Sequence, residues 1–458
     1  MELKRQLGLL TGTFVIIADM IGTGIFMTTG AVLEMTTSAP LVLALWGAGG
    51  LTALCGALCY AELAALWPEA GGEYAYLRNI YGRLPAFLTG WISLVVGFSA
   101  PAAVTSLLCI RYALTFAGQD PAASPWLHRL LAAGLIILFG TMHMIGVKGG
   151  SRIQDVLTAV KIILVLALVA FGLSSADWSM THRLAAQYGP APDVGWMLPQ
   201  TGLALLIIMY AYSGWNCAAY LGSEIKEPEA TLPRALFLGT LITAVLYLLL
   251  NVLFLLSADG QELMGKEEVG AIAVSCLFGP AMSSAFTLGI AVVLLSAVSA
   301  QMMVGPRVTY AMAKDGMIFR SLSMVHRRFE TPSAAILIQT LLAALYVFTG
   351  SALTLVIYMG FALSIFPLLT VIGLLRLRHA QPQLRSPFRV PFYPVLPLLY
   401  ILLTIIMMLA ALMTWTKTSL VAIVVVLLGM PAFHVWERMS PHPGPLPQRG
   451  EGGEAPHD

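Results

Sequence analysis

Along most of the chain, apolar residues follow neither the two-residue period of a strand nor the striped pattern of a surface helix. They run on for twenty positions or more between short polar gaps. Roughly 20 consecutive apolar residues are what a helix needs to cross a bilayer. Hydropathy places such spans near residues 8–34, 38–66, 84–115, 127–146, 153–174, 196–221, 235–256, 281–310, 331–349, 352–375, 394–415 and 418–437. Runs this long are not the short alternating strands of a barrel, so the pattern predicts an all-α polytopic membrane protein of about 12 transmembrane helices. Lys4 and Arg5 precede the first run, as in a signal peptide. That run continues past Phe26 without a small-residue cleavage site, and it reads as the first span.

Composition and charge sharpen this picture. Of 458 residues, 58% are apolar and 10% charged, against about 25% charged in soluble domains. A net charge of +2 gives no reason to expect nucleic acid. Cys55, Cys59, Cys109, Cys217 and Cys276 lie in or beside apolar runs without zinc-like spacing, so they read as reduced packing residues, and neither metal nor cofactor is expected. With the N-terminus inside, 19 of the 25 Lys and Arg residues fall on the inner face and five on the outer, with Lys161 left within the membrane. This asymmetry supports the segmentation and predicts both termini in the cytoplasm. The stretch Ser440–Asp458, rich in Pro, Gly and Glu, reads as a disordered tail within 438–458, after a membrane domain over 1–437.

Two spans carry interruptions. The first contains Ile21-Gly22-Thr23-Gly24-Ile25-Phe26 and the sixth Tyr210-Ala211-Tyr212-Ser213-Gly214-Trp215-Asn216. Glycine tolerates nonhelical dihedrals, and freed backbone groups persist at mid-membrane only where they line a cavity. Close packing of small residues between helices is the rival explanation. Two breaks five spans apart instead suggest inverted repeats, over about 8–174 and 196–375, with residues 394–437 outside them. An unwound segment offers N–H groups at one half-helix end and carbonyls at the other, which suits a small zwitterion.

Several motifs in order carry a resemblance over roughly residues 5–437. Ile21 to Phe26 resembles the first-helix signature of the amino acid–polyamine–organocation superfamily. Tyr60-Ala61-Glu62-Leu63 with Pro68-Glu69-Ala70-Gly71-Gly72-Glu73-Tyr74 is similar to its segment after helix two. Gly222 to Pro228 with Pro233-Arg234-Ala235, and Arg307 with Tyr310 to Gly316, look like its loops after helices six and eight. Ser213-Gly214-Trp215-Asn216 and Arg385-Ser386-Pro387-Phe388-Arg389-Val390-Pro391 lean toward the L-type branch for neutral amino acids. The resemblance implies a LeuT-like 5+5 inverted repeat with two peripheral helices, in a plasma (inner) membrane. It implies secondary transport by alternating access, as an exchanger or with protons. The substrate carboxylate would sit on the amides of Thr23, Gly24 and Ile25, and the ammonium on carbonyls near Ile21, Tyr210 and Ser213. Tyr210 would act as a lid, with Trp215 and Asn216 bordering the side-chain pocket; simple packing is the alternative for Trp215. Eukaryotic L-type relatives pair with a glycoprotein, for which this sequence shows no partner surface.

Charges within the spans need separate accounts. A lysine at membrane depth is costly and faces a partner or a cavity, unless it snorkels to the surface. In sodium-independent relatives a helix-five lysine is thought to stand where sodium would bind. Lys161 matches that position, with Ser296 and Ser299 as candidate partners across helix eight. Asp19 departs from the family pattern, and three readings compete: a pair with Lys161, a site for a transported proton, or recognition of a cationic substrate. The last favours cationic amino acids or polyamines as alternative substrates. Glu62, Glu69 and Glu73 are expected to organise a loop around Arg78 and Arg83, and Glu224 with Lys226 to cap helix six and tether a gate loop. His128, His143 and His434, at span ends, read as packing or interfacial groups. The scattered histidines supply no cluster for a membrane enzyme, and two unlike breaks are not the repeated filter of a channel.

Overall fold

In the computed structural model, which describes residues 3–189, 194–266, 268–349 and 352–439, every regular element is helical. The first predicted span is two helices, α1 (Leu9–Met20) and α2 (Gly24–Thr36), bent by 43°. There follow α3 (Ala39–Leu66), α4 (Glu73–Tyr81), α5 (Arg83–Ile92), a π-helical turn over Ser93–Phe98, α6 (Ser99–Phe116), α7 (Pro125–Met144) and α8 (Val147–Ser175). The sixth predicted span again divides, into α9 (Val194–Ala211) and the single turn α10 (Cys217–Tyr220). After it come α11 (Pro228–Ser257), α12 (Gly260–Leu263), α13 (Val269–Phe278), α14 (Pro280–Val304), α15 (Pro306–Lys314), α16 (Ser333–Tyr346), α17 (Ala352–Ala380), α18 (Val395–Thr414) and α19 (Thr416–Met439). Proline opens or nearly opens α3, α7, α11, α14 and α15, where its missing N–H has no intrahelical acceptor to lose.

Among the described residues, nine helical segments are long and apolar enough to cross a membrane, ten with the bent α1–α2 pair. The sixth and ninth predicted spans correspond to shorter apolar helices, so the structure supports a polytopic membrane protein without fixing the count at twelve. Of the predicted tail over 438–458, Arg438 and Met439 still belong to α19, and residues 440–458 lie outside the described residues. Hydropathy missed α4 and α13, which are too short or too polar to register as spans. It also missed the π turn, because apolar character does not distinguish hydrogen-bonding period.

Helix α11 packs against α3 and α1, α9 against α2 and α3, and α14 against α6, α7 and α8, with α1 also meeting α8 and α14. Helix α18 lies against α9, α3 and α17, and α19 against α5 and α17. Outward-facing residues such as Leu130, Leu138, Val156 and Ile163 are exposed and apolar, the surface a lipid solvent selects.

Segment ends on the basic side of the bundle are tied by ion pairs. Arg307 grips Glu224 through two bonds of 2.7 and 3.0 Å, both residues being buried. Arg78 bridges Glu69 and Asp315 (2.6 Å each), and Arg378 holds Glu62 through its Nε at 2.8 Å. Thus Glu69 meets Arg78 as expected, whereas Glu62 turns to Arg378, Glu73 to hydroxyls, and Arg83 to Glu437. Glu224 is an ion-pair partner rather than a helix cap. The N-terminal segment joins this layer: the amides of Gln6 and Leu7 donate to the Glu224 carbonyl, and Lys4 pairs with Glu330.

Candidate functional site

Both breaks are real interruptions. After Met20 the chain bends through Ile21–Thr23, and α2 restarts at Gly24. As the first amides of that helix, those of Gly24 and Ile25, with that of Thr23, donate to no backbone carbonyl among the described residues. They form a positive helix end. Gly24 is required by contact: a Cβ there would lie 2.6 Å from the Cα of Ala211, the last residue of α9. The two breaks therefore touch. In the second, Gly214 adopts φ +98°, the left-handed region that glycine enters without strain.

Tyr247 of α11 fastens the two together. Its buried hydroxyl contacts the carbonyl of Met20 and lies 3.0 Å from that of Ala211. The rings of Trp46, Tyr212 and Tyr247 pack tilted or edge-on to one another at centroid separations of 5.0–5.8 Å. Leaving a buried acceptor unpaired costs about 1–3 kcal/mol. Tyr247→Phe is therefore expected to lower uptake roughly tenfold or more while preserving assembly, checked by transport and by size-exclusion profile. Undiminished uptake would show that the breaks hold without this hydroxyl.

Between the breaks lies a cavity of about 110 Å³, large against the roughly 10–15 Å³ that one water needs. Gly22, Thr23, Gly24, Tyr210, Ser213, Gly214, Trp215 and Asn216 line it, as does Asp19. Ile21 and Ile25 do not; their side chains are fully buried in packing. Trp215 both packs and lines: it meets Tyr60 edge-on at 4.8 Å while facing the cavity. Reading the residues missed Ser93, Gly97 and Phe98 of the π turn, Glu73, Thr89, Gln301 of α14 and Phe366 of α17. Gln301, an amide in an otherwise apolar run, carried a usable signal. The π turn had none, although such turns are frequent at functional sites. A second cavity of about 50 Å³ shares Tyr210, Ser213 and Trp215 and reaches Tyr400, Thr404 and Met407 of α18.

Lys161 does not snorkel. It is fully buried, and its ammonium donates to the carbonyls of Ala18 (2.7 Å) and Ile21 at the C-terminal end of α1. Two expectations are corrected here. Among the described residues Lys161 makes no ion pair with Asp19: two of its three N–H groups go to α1 carbonyls, while Asp19 accepts from the Cys217 thiol in the second break. Ser296 and Ser299 are not its partners: the Ser299 hydroxyl meets the buried His143 at 3.0 Å, and Ser296 donates to Val293 of its own helix. The Ile21 carbonyl already accepts from Lys161 and that of Tyr210 from the Ser213 amide, each with a second lone pair left, while the Ser213 carbonyl accepts no backbone amide among the described residues. The cysteines are free, but Cys276 is exposed, and Cys217 is more than packing, since its thiol donates to Asp19 at 2.8 Å.

Apolar spans around a central polar cavity, at paired helix interruptions, define an integral membrane protein of the carrier class. The family model described as "Amino acid permease" matches residues 7–430. The mouse b(0,+)-type amino acid transporter 1 is 31% identical over 412 residues, covering 89% of this chain and 83% of that protein. The human large neutral amino acids transporter small subunit 2 is 29% identical, covering 94% and 80%. The human cystine/glutamate transporter is 29% identical, covering 95% and 87%. The chain belongs to the amino acid permease family, and is a transporter rather than an enzyme.

Proposed function

We propose that the chain is a sodium-independent secondary transporter of neutral L-amino acids, working by alternating access as an exchanger or a proton-coupled permease. The observation that carries this reading is the buried Lys161 ammonium on the carbonyls of Ala18 and Ile21. A tethered cation fills the negative half-helix end, so no dissolved cation is required there. The open amides of Thr23, Gly24 and Ile25 suit the substrate carboxylate. The adjoining cavity under Tyr400 and Met407 gives an apolar side chain room. The breaks would hinge two inverted repeats, and the ion-pair layer at the basic end would close the inward path. The basic residues favour an inner-membrane orientation with both termini in the cytoplasm.

A second reading, transport of cationic amino acids or polyamines, draws on two carboxylates, Asp19 and Glu73, in the wall of a cavity with one buried ammonium beside it. Reconstitution of the chain alone in liposomes tests these readings and whether a second subunit is dispensable. Labelled neutral amino acids should enter equally well when sodium is replaced by choline, with neutral competitors more effective than basic ones. Strict sodium dependence would overturn the role given to Lys161, and stronger competition by basic substrates would favour the second reading.

A further inference from the structure

An ammonium entering the cavity needs acceptors to replace its water, and the backbone around the breaks offers only neutral ones. Lys161 already donates to the carbonyls of Ala18 and Ile21, and the single Tyr247 hydroxyl lies between those of Met20 and Ala211. Asp19 is different. Its Oδ2 accepts from the Cys217 thiol at 2.8 Å, while its buried Oδ1 has no well-aligned hydrogen bond among the described residues, the Gln301 side chain being its only neighbouring donor there. A carboxylate oxygen so weakly satisfied is expensive inside a protein unless a further donor reaches it. The second carboxylate in the wall is already supplied, because Tyr60 and Thr89 hydroxyls donate to the two oxygens of Glu73.

The chain also makes room for Asp19. A Cβ on Gly214 would come within 2.5 Å of Oδ2, so glycine both permits the turn and lets the carboxylate lie over the second break. The carboxylate adjoins the cavity one helical turn before the open amides.

We propose that Asp19 takes the α-ammonium of the substrate, adding a side-chain charge to what the neutral break carbonyls offer. This rests on the cavity being the amino acid site. Recognition then divides between two anchors: a helix end for the carboxylate and a carboxylate for the ammonium. A primary amine lacking the carboxylate still engages one anchor, and a 2-hydroxy acid lacking the ammonium engages the other.

The test uses the full-length protein in liposomes and the neutral amino acid it takes up best. In wild type, the corresponding primary amine inhibits uptake more strongly at Asp19's anchor than in Asp19→Asn, where its inhibition is lost. The variant's KM for the amino acid rises about 10- to 100-fold, the loss expected for one charge-assisted hydrogen bond. Inhibition by the 2-hydroxy acid changes less than about threefold, so a general collapse of the site would be recognised. A wild-type protein inhibited by the hydroxy acid but not by the amine would overturn the assignment, and this comparison needs no variant. So would an Asp19→Asn protein with unchanged KM whose uptake merely loses its pH dependence, which marks a proton site. Absence of amino acid uptake by wild type overturns the underlying functional reading as well; normal wild-type uptake with an unaffected variant overturns this inference alone.

Discussion

Lys161→Met abolishes uptake, lowering it at least about 100-fold, yet leaves a folded, monodisperse protein. The two effects separate because the lysine's energetic contributions oppose each other. Hydrogen bonds from charged donors contribute about 1.5–3 kcal/mol each, so the carbonyls of Ala18 and Ile21 together lose about 3–6 kcal/mol. Methionine of similar length removes the cost of burying an ion and restores apolar packing, and such replacements are often near neutral for stability. What it does not restore is a donor across the break. The C-terminal end of α1 is then free to rewind or shift, and the amides at the start of α2 shift with it. A 100-fold loss corresponds to about 2.8 kcal/mol, within what the missing bonds supply. Uptake assays paired with thermal unfolding in detergent check both halves. Wild-type transport by the variant would show that the ammonium is only a structural remnant.

Gly24→Ala should be nearly as damaging, whereas Gly22→Ala, two residues away, changes uptake less than about threefold. A Cβ on Gly24 meets the Cα and Cβ of Ala211 at 2.6 Å, and backbone has nowhere to go. Overpacking of this kind typically costs about 1–3 kcal/mol. Here the strain is relieved only by separating the two breaks, which moves the amides and opens the cavity between them. Uptake is expected to fall roughly 30- to 100-fold. A Cβ on Gly22 finds only the Asp19 carbonyl, at an ordinary 3.8 Å. Measuring KM and maximal rate for both variants distinguishes a site defined by this contact from one that merely needs flexible glycines. Equal effects of the two substitutions would favour flexibility.

That contrast marks how far the sequence could be read. The residues of both breaks were legible, since Gly-Thr-Gly and Ser-Gly-Trp-Asn interrupt runs that are otherwise apolar. Most of the residues so identified do line one cavity. Which glycine is indispensable was not legible, because it depends on α9 ending against Gly24. Lys161 stood out as a charge in a hydrophobic run, but its partners lie about 140 positions away in the chain. Backbone carbonyls rather than Ser296 and Ser299 receive its protons because α1 packs against α8, which spacing along the chain does not encode. Tyr247 gave no warning at all, being one aromatic residue in an apolar helix.

The sequence alone determined that the protein is helical and membrane-embedded, that it has two weak points, and that few charges are buried in its spans. These follow from solvent preference and backbone freedom, which act locally along the chain. Only the tertiary structure decided which buried acceptor each donor reaches, why Asp19 turns to Cys217 rather than Lys161, and that a π turn borders the cavity. Hydrogen bonds are short-ranged and directional, so their pairing is set once distant helices have been brought side by side.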